Sequence, residues 1–305
     1  MGIVNADKLR ILITGSNGLL GQHIVRYCLN NGLEFLATSS KDNKISYCPS
    51  TAFQVLDISS KTKVEQIIKS YQPTHIVNAA AMTNVDLCET EKDACYRINK
   101  DGVENIIDTI KNSSIHLIHI STDFIFDGKK RLYQEGDRAN PLGEYGKSKW
   151  EAETLLLQSQ IKRLTILRTS ILYGVGEHLE KKNIFNWAMD QLRGGNTINI
   201  VNDQYRTPTF VEDLVQACFK SIKKKKYGTY HVAGPELYSM YELICIVAKY
   251  VGVAPERVKP ISTEDLNQKA PRPQSSGLLI EKAKELLNYQ PTRFVETLSK
   301  IDPTK

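Results

Sequence analysis

The chain has 305 residues, 41% of them hydrophobic and 24% charged, with a formal net charge of +6. That length and balance allow one large or two closely joined domains with a real core, and they exclude a disordered chain. No stretch approaches the ~18 uninterrupted apolar residues of a membrane span, and the start from Met1 to Arg10 is charged with no apolar core, so cytoplasmic residence is the expectation.

The first apolar run, Leu9 to Thr14, leads into Gly15-Ser16-Asn17-Gly18-Leu19-Leu20-Gly21 and then a helical pattern from His23 to Leu29. This reads as strand, glycine turn, helix. Gly15 allows the tight turn, Gly18 lets the backbone approach a pyrophosphate at the helix N-terminus, and Gly21 lets the helix pack against the strand. Further strands are predicted at Glu34 to Thr38, His75 to Ala80, Ile115 to Ser121 and Leu164 to Arg168, with helices such as Lys63 to Tyr71 and Ala94 to Lys111 between them. The alternation predicts a Rossmann-type, doubly wound parallel α/β sheet with ligands at the carboxyl ends of its strands. Asp57, the segment Asn78 to Ala81, and Ser121-Thr122-Asp123 all fall at such ends.

The second strand ends in Ala37-Thr38-Ser39-Ser40-Lys41, without the acidic residue that usually holds the ribose of NAD. Small hydroxyls and a lysine suit a 2′-phosphate, so NADPH is the expected cofactor, with NADH also admitted. Tyr145 and Lys149 lie four apart in Tyr145-Gly146-Lys147-Ser148-Lys149, which on a helix puts both on one face. Lowering a phenol from pH ~10 to about 7 takes roughly 4 kcal/mol, which a fixed ammonium and a cationic cofactor together can supply.

Beyond Arg168, a helix is predicted from Asn183 to Leu192, a strand at Ile198 to Val201, and a helix opening in Pro208 to Leu214. Gly228 to Val232 reads as a strand returning to the main sheet, followed by helices at Met240 to Val251 and Ile280 to Leu287. The expected division is therefore 1–175 as dinucleotide-binding domain with 202–235 returning to it, and 176–201 with 236–305 as a smaller α/β substrate-binding lobe. Lys223-Lys224-Lys225-Lys226 follows an apolar helical stretch and has no interleaved aromatics, so it reads as a solvated helix end and not a nucleic-acid site. Six scattered cysteines without a Cys-x-x-Cys pair indicate reduced packing thiols, and no metal-ligand spacing is visible. Arg206 and Arg272 are candidates for substrate diphosphate or for contacts between lobes, because guanidinium forks suit phosphate oxygens.

Taken in order, Gly15 to Gly21, Asn78 to Asp86, Ser121 to Gly128, Asn140 to Lys149, Arg168-Thr169-Ser170, Asn202-Asp203-Gln204, Pro208-Thr209, Gly228 to His231 and Ala270 to Pro273 resemble the dTDP-4-dehydrorhamnose reductase family of extended short-chain dehydrogenases/reductases. The resemblance implies an NAD(P)H-dependent reduction of the 4-keto group of a nucleotide-linked 6-deoxyhexose, and it leaves room for a homodimer. It also implies that Gly18, Leu19 and Leu20 touch the pyrophosphate, Ser39 the ribose region, Asp57 and Ile58 the adenine, and Ala81, Met82 and Thr83 the path to the nicotinamide. Thr122 takes the place of the catalytic serine or threonine beside Tyr145, Lys149 lowers the tyrosine's pKa while gripping the ribose, and Asp123 holds a sugar hydroxyl. Two positions depart from the pattern: Phe124 stands where tyrosine is common and Ile171 where tryptophan is common. Phe124 also occupies the position of the glutamate that a 4,6-dehydratase of this superfamily carries. The alternatives are a sugar-nucleotide epimerase, which shares the Tyr-Lys pair, and a non-catalytic regulatory subunit resembling that of methionine adenosyltransferase.

Overall fold

Alternate residues of the apolar strands face opposite ways, and this divides the core in two. In a computed structural model, which describes residues 9–180, 182–266, 268–302 and 304, seven parallel strands form the central sheet. They are β1 (Arg10–Thr14), β2 (Glu34–Ser39), β3 (Phe53–Val55), β4 (His75–Asn78), β5 (His116–Thr122), β6 (Leu164–Thr169) and β7 (Gly228–His231), in the order β7-β6-β5-β4-β1-β2-β3. All but two residues of the charged start, Leu9 and Arg10, lie outside the described residues.

Leu12, Ile76, Leu117 and Ile166 point to one face, where they pack with Val64 and Ile68 of α1 (Lys61–Tyr71), Val103 and Ile106 of α2 (Gly102–Ile110), and Ala152 and Leu156 of α3 (Glu144–Gln158). Ile11, Ile13, Val77, Ile118 and Leu167 point to the other, covered by the helices Leu19–Asn30 and Val211–Lys223. Two covered faces explain why the strands read as continuous apolar runs, as parallel strands do. The order steps outward from β1 in both directions, so the crevice beside β1 and β4 is the topological switch point where ligands bind in such sheets.

The predicted helix from Ala94 to Lys111 is not continuous. Lys92–Tyr96 passes through a π-helical turn at Arg97–Asp101 before α2 begins. Beyond β6, Ile184–Arg193 is capped by the Asn183 side chain and packs against Met240–Tyr250, and Ile198–Val201 pairs in parallel with Val258–Ile261. The lysine run is a helix end: the helix stops at Lys223 and Lys225 turns to φ 50°.

Candidate active site

Gly15 has φ +69°, and a Cβ there would stand 2.7 Å from the backbone of Ala80, so the turn after β1 is pressed against the chain leaving β4. Gly21 is equally constrained, its Cβ position lying 2.4 Å from the Gly15 carbonyl oxygen. Gly18 is the N-cap of the following helix and brings no side chain to its first-turn N–H groups. Leu19, Leu20 and Gly21 therefore present backbone donors at the positive end of a helix dipole, a ready site for an anion. The hydroxyl of Ser16 is buried there without a hydrogen-bond partner among the described residues. This donor set fits a dinucleotide pyrophosphate.

The other predicted cofactor residues surround the same edge. Ser39 ends β2 half-buried. The Asp57 carboxylate accepts from the backbone and hydroxyl of Ser59 at 2.9 and 2.8 Å, and Ile58 is buried against Gly102. Lys41 pairs with Glu180 at 2.7 Å, but both side chains are exposed and such a pair contributes about 0–1 kcal/mol. Ala81, Met82 and Thr83 continue from β4, and Met82 is pinned on both sides by Asn99: its N–H donates to Asn99 Oδ1 at 2.8 Å, and its carbonyl accepts from Asn99 Nδ2 at 3.1 Å. Asn99 sits in the π-helical turn and was not among the predicted residues; a buried asparagine inside an otherwise regular helical pattern is the signal it left.

The tyrosine and lysine ride on α3. Gly146 is what lets this helix approach, since a Cβ there would lie 2.3 Å from the Phe124 carbonyl oxygen. Glu89 accepts from the Glu144 N–H at 2.7 Å and places a carboxylate at the helix N-terminus, where the dipole favours it. The phenol of Tyr145 comes against the Thr122 hydroxyl, and its ring meets Phe124 edge to face with centroids 5.9 Å apart. Burial pushes the Tyr145 phenol above its ordinary range, with the Thr122 hydroxyl opposing. Lys149 is buried and reaches the Ile120 carbonyl at 2.8 Å and His119 Nε2 at 3.2 Å; burial pulls its pKa down to about 8. Among the groups the chain itself supplies, desolvation is the largest influence on the Tyr145 phenol.

Asp123 and the two arginines each have several partners within the protein. Asp123 is buried, with Thr122 donating to Oδ1 at 3.2 Å, Ser170 donating to Oδ2 at 2.9 Å, Ser276 also donating to Oδ2, and Arg206 Nε at 3.9 Å. Burial raises its pKa against these partners. Arg206 is only 1% exposed and donates to the carbonyls of Tyr205 at 2.8 Å and Pro273 at 2.7 Å, with its guanidinium over the Phe124 ring. It is no open fork for a diphosphate; it is a strut between the segments carrying Asp123 and Pro273. Arg272 grips Asp86 through both terminal nitrogens at 3.1 and 2.8 Å and also donates to Ala270. Ile171 has φ +24°, a strained value for a β-branched residue, beside Ser170.

A glycine turn after β1, a Thr-Tyr-Lys cluster at the ends of β5 and α3, and a parallel sheet reversing its order at β1 define a short-chain dehydrogenase/reductase. More narrowly, the chain belongs to the RmlD substrate binding domain family, whose model matches residues 9–302. It is 35% identical to the dTDP-4-dehydrorhamnose reductase of Aggregatibacter actinomycetemcomitans, over 96% of this chain and 98% of that one. It is 30% identical to methionine adenosyltransferase 2 subunit beta of Bos taurus, over 95% of this chain and 86% of that one. Among solved structures, the dTDP-4-dehydrorhamnose reductase of Bacillus anthracis in complex with NADP superposes with a TM-score of 0.85 at 29% identity, covering 96% of this chain and 98% of that one.

Proposed function

We propose that this protein is an NADPH-dependent reductase of the 4-keto group of a nucleotide-linked 6-deoxyhexose. The observation that carries the reading is the phenol of Tyr145 against the Thr122 hydroxyl and the Phe124 ring, one helical turn before the buried Lys149. The backbone of Gly18, Leu19 and Leu20 holds the cofactor pyrophosphate, Ser39, Asp57 and Ile58 flank its adenosine, and Ala81, Met82 and Thr83 line its path to the sugar. Bound NADPH supplies the hydride and, once it has given it up, a positive charge. Thr122 orients the ketone oxygen, and Tyr145 gives that oxygen its phenolic proton as alkoxide character develops. A phenol held above its ordinary range starts the reaction with its proton in place, and the Lys149 ammonium then stabilises the phenolate that remains. Phe124 supports reduction over dehydration, since a benzyl side chain has no proton to exchange. The lobe of 176–201 and 236–305 closes over the sugar nucleotide in this reading.

Adding NADPH and keto-sugar nucleotides generated in situ by a dehydratase is expected to oxidise the cofactor. Tyr145→Phe is expected to lower kcat by about 10²–10⁴-fold, the range for a removed general acid. Unchanged turnover in that variant refutes the mechanism. The likeness to methionine adenosyltransferase 2 subunit beta favours a second reading, a regulatory chain. A stable complex with a methionine adenosyltransferase catalytic chain, together with no NADPH oxidation on any keto-sugar nucleotide, selects it.

A further inference from the structure

His119 lies in β5 among Leu117, Ile118 and Ile120 and is fully buried, yet both its ring nitrogens have partners. Nε2 is 3.2 Å from Lys149 Nζ, and Nδ1 is 3.1 Å from Asn78 Nδ2, while Asn78 Oδ1 accepts from the Thr14 hydroxyl at 2.6 Å. Four side chains thus cross β5, β4 and β1 from Lys149 to the residue before the glycine turn. We propose that His119 is a positioning residue for Lys149, accepting one ammonium proton so that the charged lysine stays fixed with its remaining donor free for the reaction. The inference rests on the reading of Tyr145 and Lys149 given above.

An ammonium has three donors and no acceptor. The Ile120 carbonyl takes one at 2.8 Å, His119 takes the second, and the third has no partner among the described residues, which leaves it for the reaction. With an apolar group in place of His119, a 2%-exposed ammonium would lose a partner, and a buried charge without partners sheds its proton or moves. The charged groups around this pair are few. Glu153 lies one turn further along α3 and is tied to Arg168 of β6 at 2.7 Å, Cys95 faces Lys149 from the Lys92–Tyr96 helix, and Tyr145 lies one turn before. Lys149 is the charge that His119 itself meets, and with burial it keeps the imidazole neutral.

The geometry also ties the ring tautomer to the charge of the lysine. An ammonium donating to Nε2 requires the imidazole proton on Nδ1 and the Asn78 amide turned end for end from its described placement, so that its oxygen accepts from Nδ1–H and its nitrogen donates to the Thr14 hydroxyl. A neutral amine would instead accept from Nε2–H, with the Asn78 nitrogen donating to Nδ1 and its oxygen accepting from Thr14, as these atoms are placed. The Thr14 hydroxyl rotates to suit either setting.

The test uses the full chain and its pH profile of NADPH oxidation. His119→Phe removes the acceptor, while His119→Gln returns an amide oxygen. His119→Phe is expected to lower kcat at pH 7 by about 10-fold or more with KM for the sugar nucleotide within about twofold, and to move the alkaline limb of kcat down by about one pH unit. His119→Gln is expected to recover most of both. A uniform loss with the alkaline limb unmoved, or wild-type kcat in His119→Phe, overturns the proposal. Because the phenylalanine variant stands to lose its fold, the wild-type protein carries an independent reading: ¹⁵N shifts of His119 are expected to show a neutral ring protonated at Nδ1 at pH 7. An imidazolium, or an Nε2–H ring, at that pH overturns it. If the wild type oxidises no NADPH with any keto-sugar nucleotide, the functional reading fails while the ring tautomer still decides the His119–Lys149 pairing.

Discussion

The two sides of the crevice are built on opposite principles. On the cofactor side, the turn from Gly15 to Gly21 works by lacking side chains: it brings bare backbone donors to a helix end and leaves their charge unmatched. On the other side, Asp123, Arg206, Ser170 and Ser276 form a buried polar cluster whose charges are largely matched within the protein. The first side is prepared for an anionic ligand. The second holds the shape of the site, with Tyr145, Phe124 and the strained Ile171 keeping part of their surface exposed.

The contrast is most easily broken from the polar side. Arg206→Ala is expected to destabilise the fold by about 3–5 kcal/mol, the cost of leaving one member of a buried charge cluster unmatched, and denaturant unfolding measures it. A loss of sugar-nucleotide affinity at unchanged stability would instead return Arg206 to the substrate. On the cofactor side, Gly15→Ala combines a positive φ with a 2.7 Å collision against Ala80. It is expected to weaken NADPH binding by about 100-fold, or roughly 2.7 kcal/mol, by calorimetric titration.

Lys149 sits between the two sides and titrates against its burial. Its folded pKa of about 8 lies below the ordinary 10.5, so between these values the unfolded chain binds the additional proton and stability rises with pH. Below about pH 8 the cost of the buried ammonium is fully present. Lys149→Met is therefore expected to gain roughly 1–3 kcal/mol of stability at pH 7 while losing activity, and the gain is expected to fade as pH rises toward the lysine's ordinary value. The smallest effect belongs to Arg272→Ala: its partner Asp86 is partly exposed, so the expected stability change is under about 1 kcal/mol, with little change in KM.

Much of this architecture was legible in the chain. The strands Arg10–Thr14, Glu34–Ser39, His75–Asn78, His116–Thr122 and Leu164–Thr169 announced themselves as apolar runs because both sheet faces are covered, and Tyr145 and Lys149 share a helix face through their spacing alone. The break at Arg97–Asp101 was not legible, since its residues fit a helical pattern and the Asn99 contacts with Met82 reach across to another segment. Nor was the role of His119, which reads as one polar residue in an apolar strand until Lys149 of α3 is laid over it.

The sequence by itself determined the sheet, the glycine turn and the Tyr-Lys face, because backbone freedom and hydrophobic periodicity act between near neighbours. Only the tertiary structure decided what the charges do. Arg206 meets Asp123, Arg272 meets Asp86 and Lys149 meets His119 across long separations in the chain, and whether a charge is open to a ligand or already matched depends on burial, which no local pattern encodes.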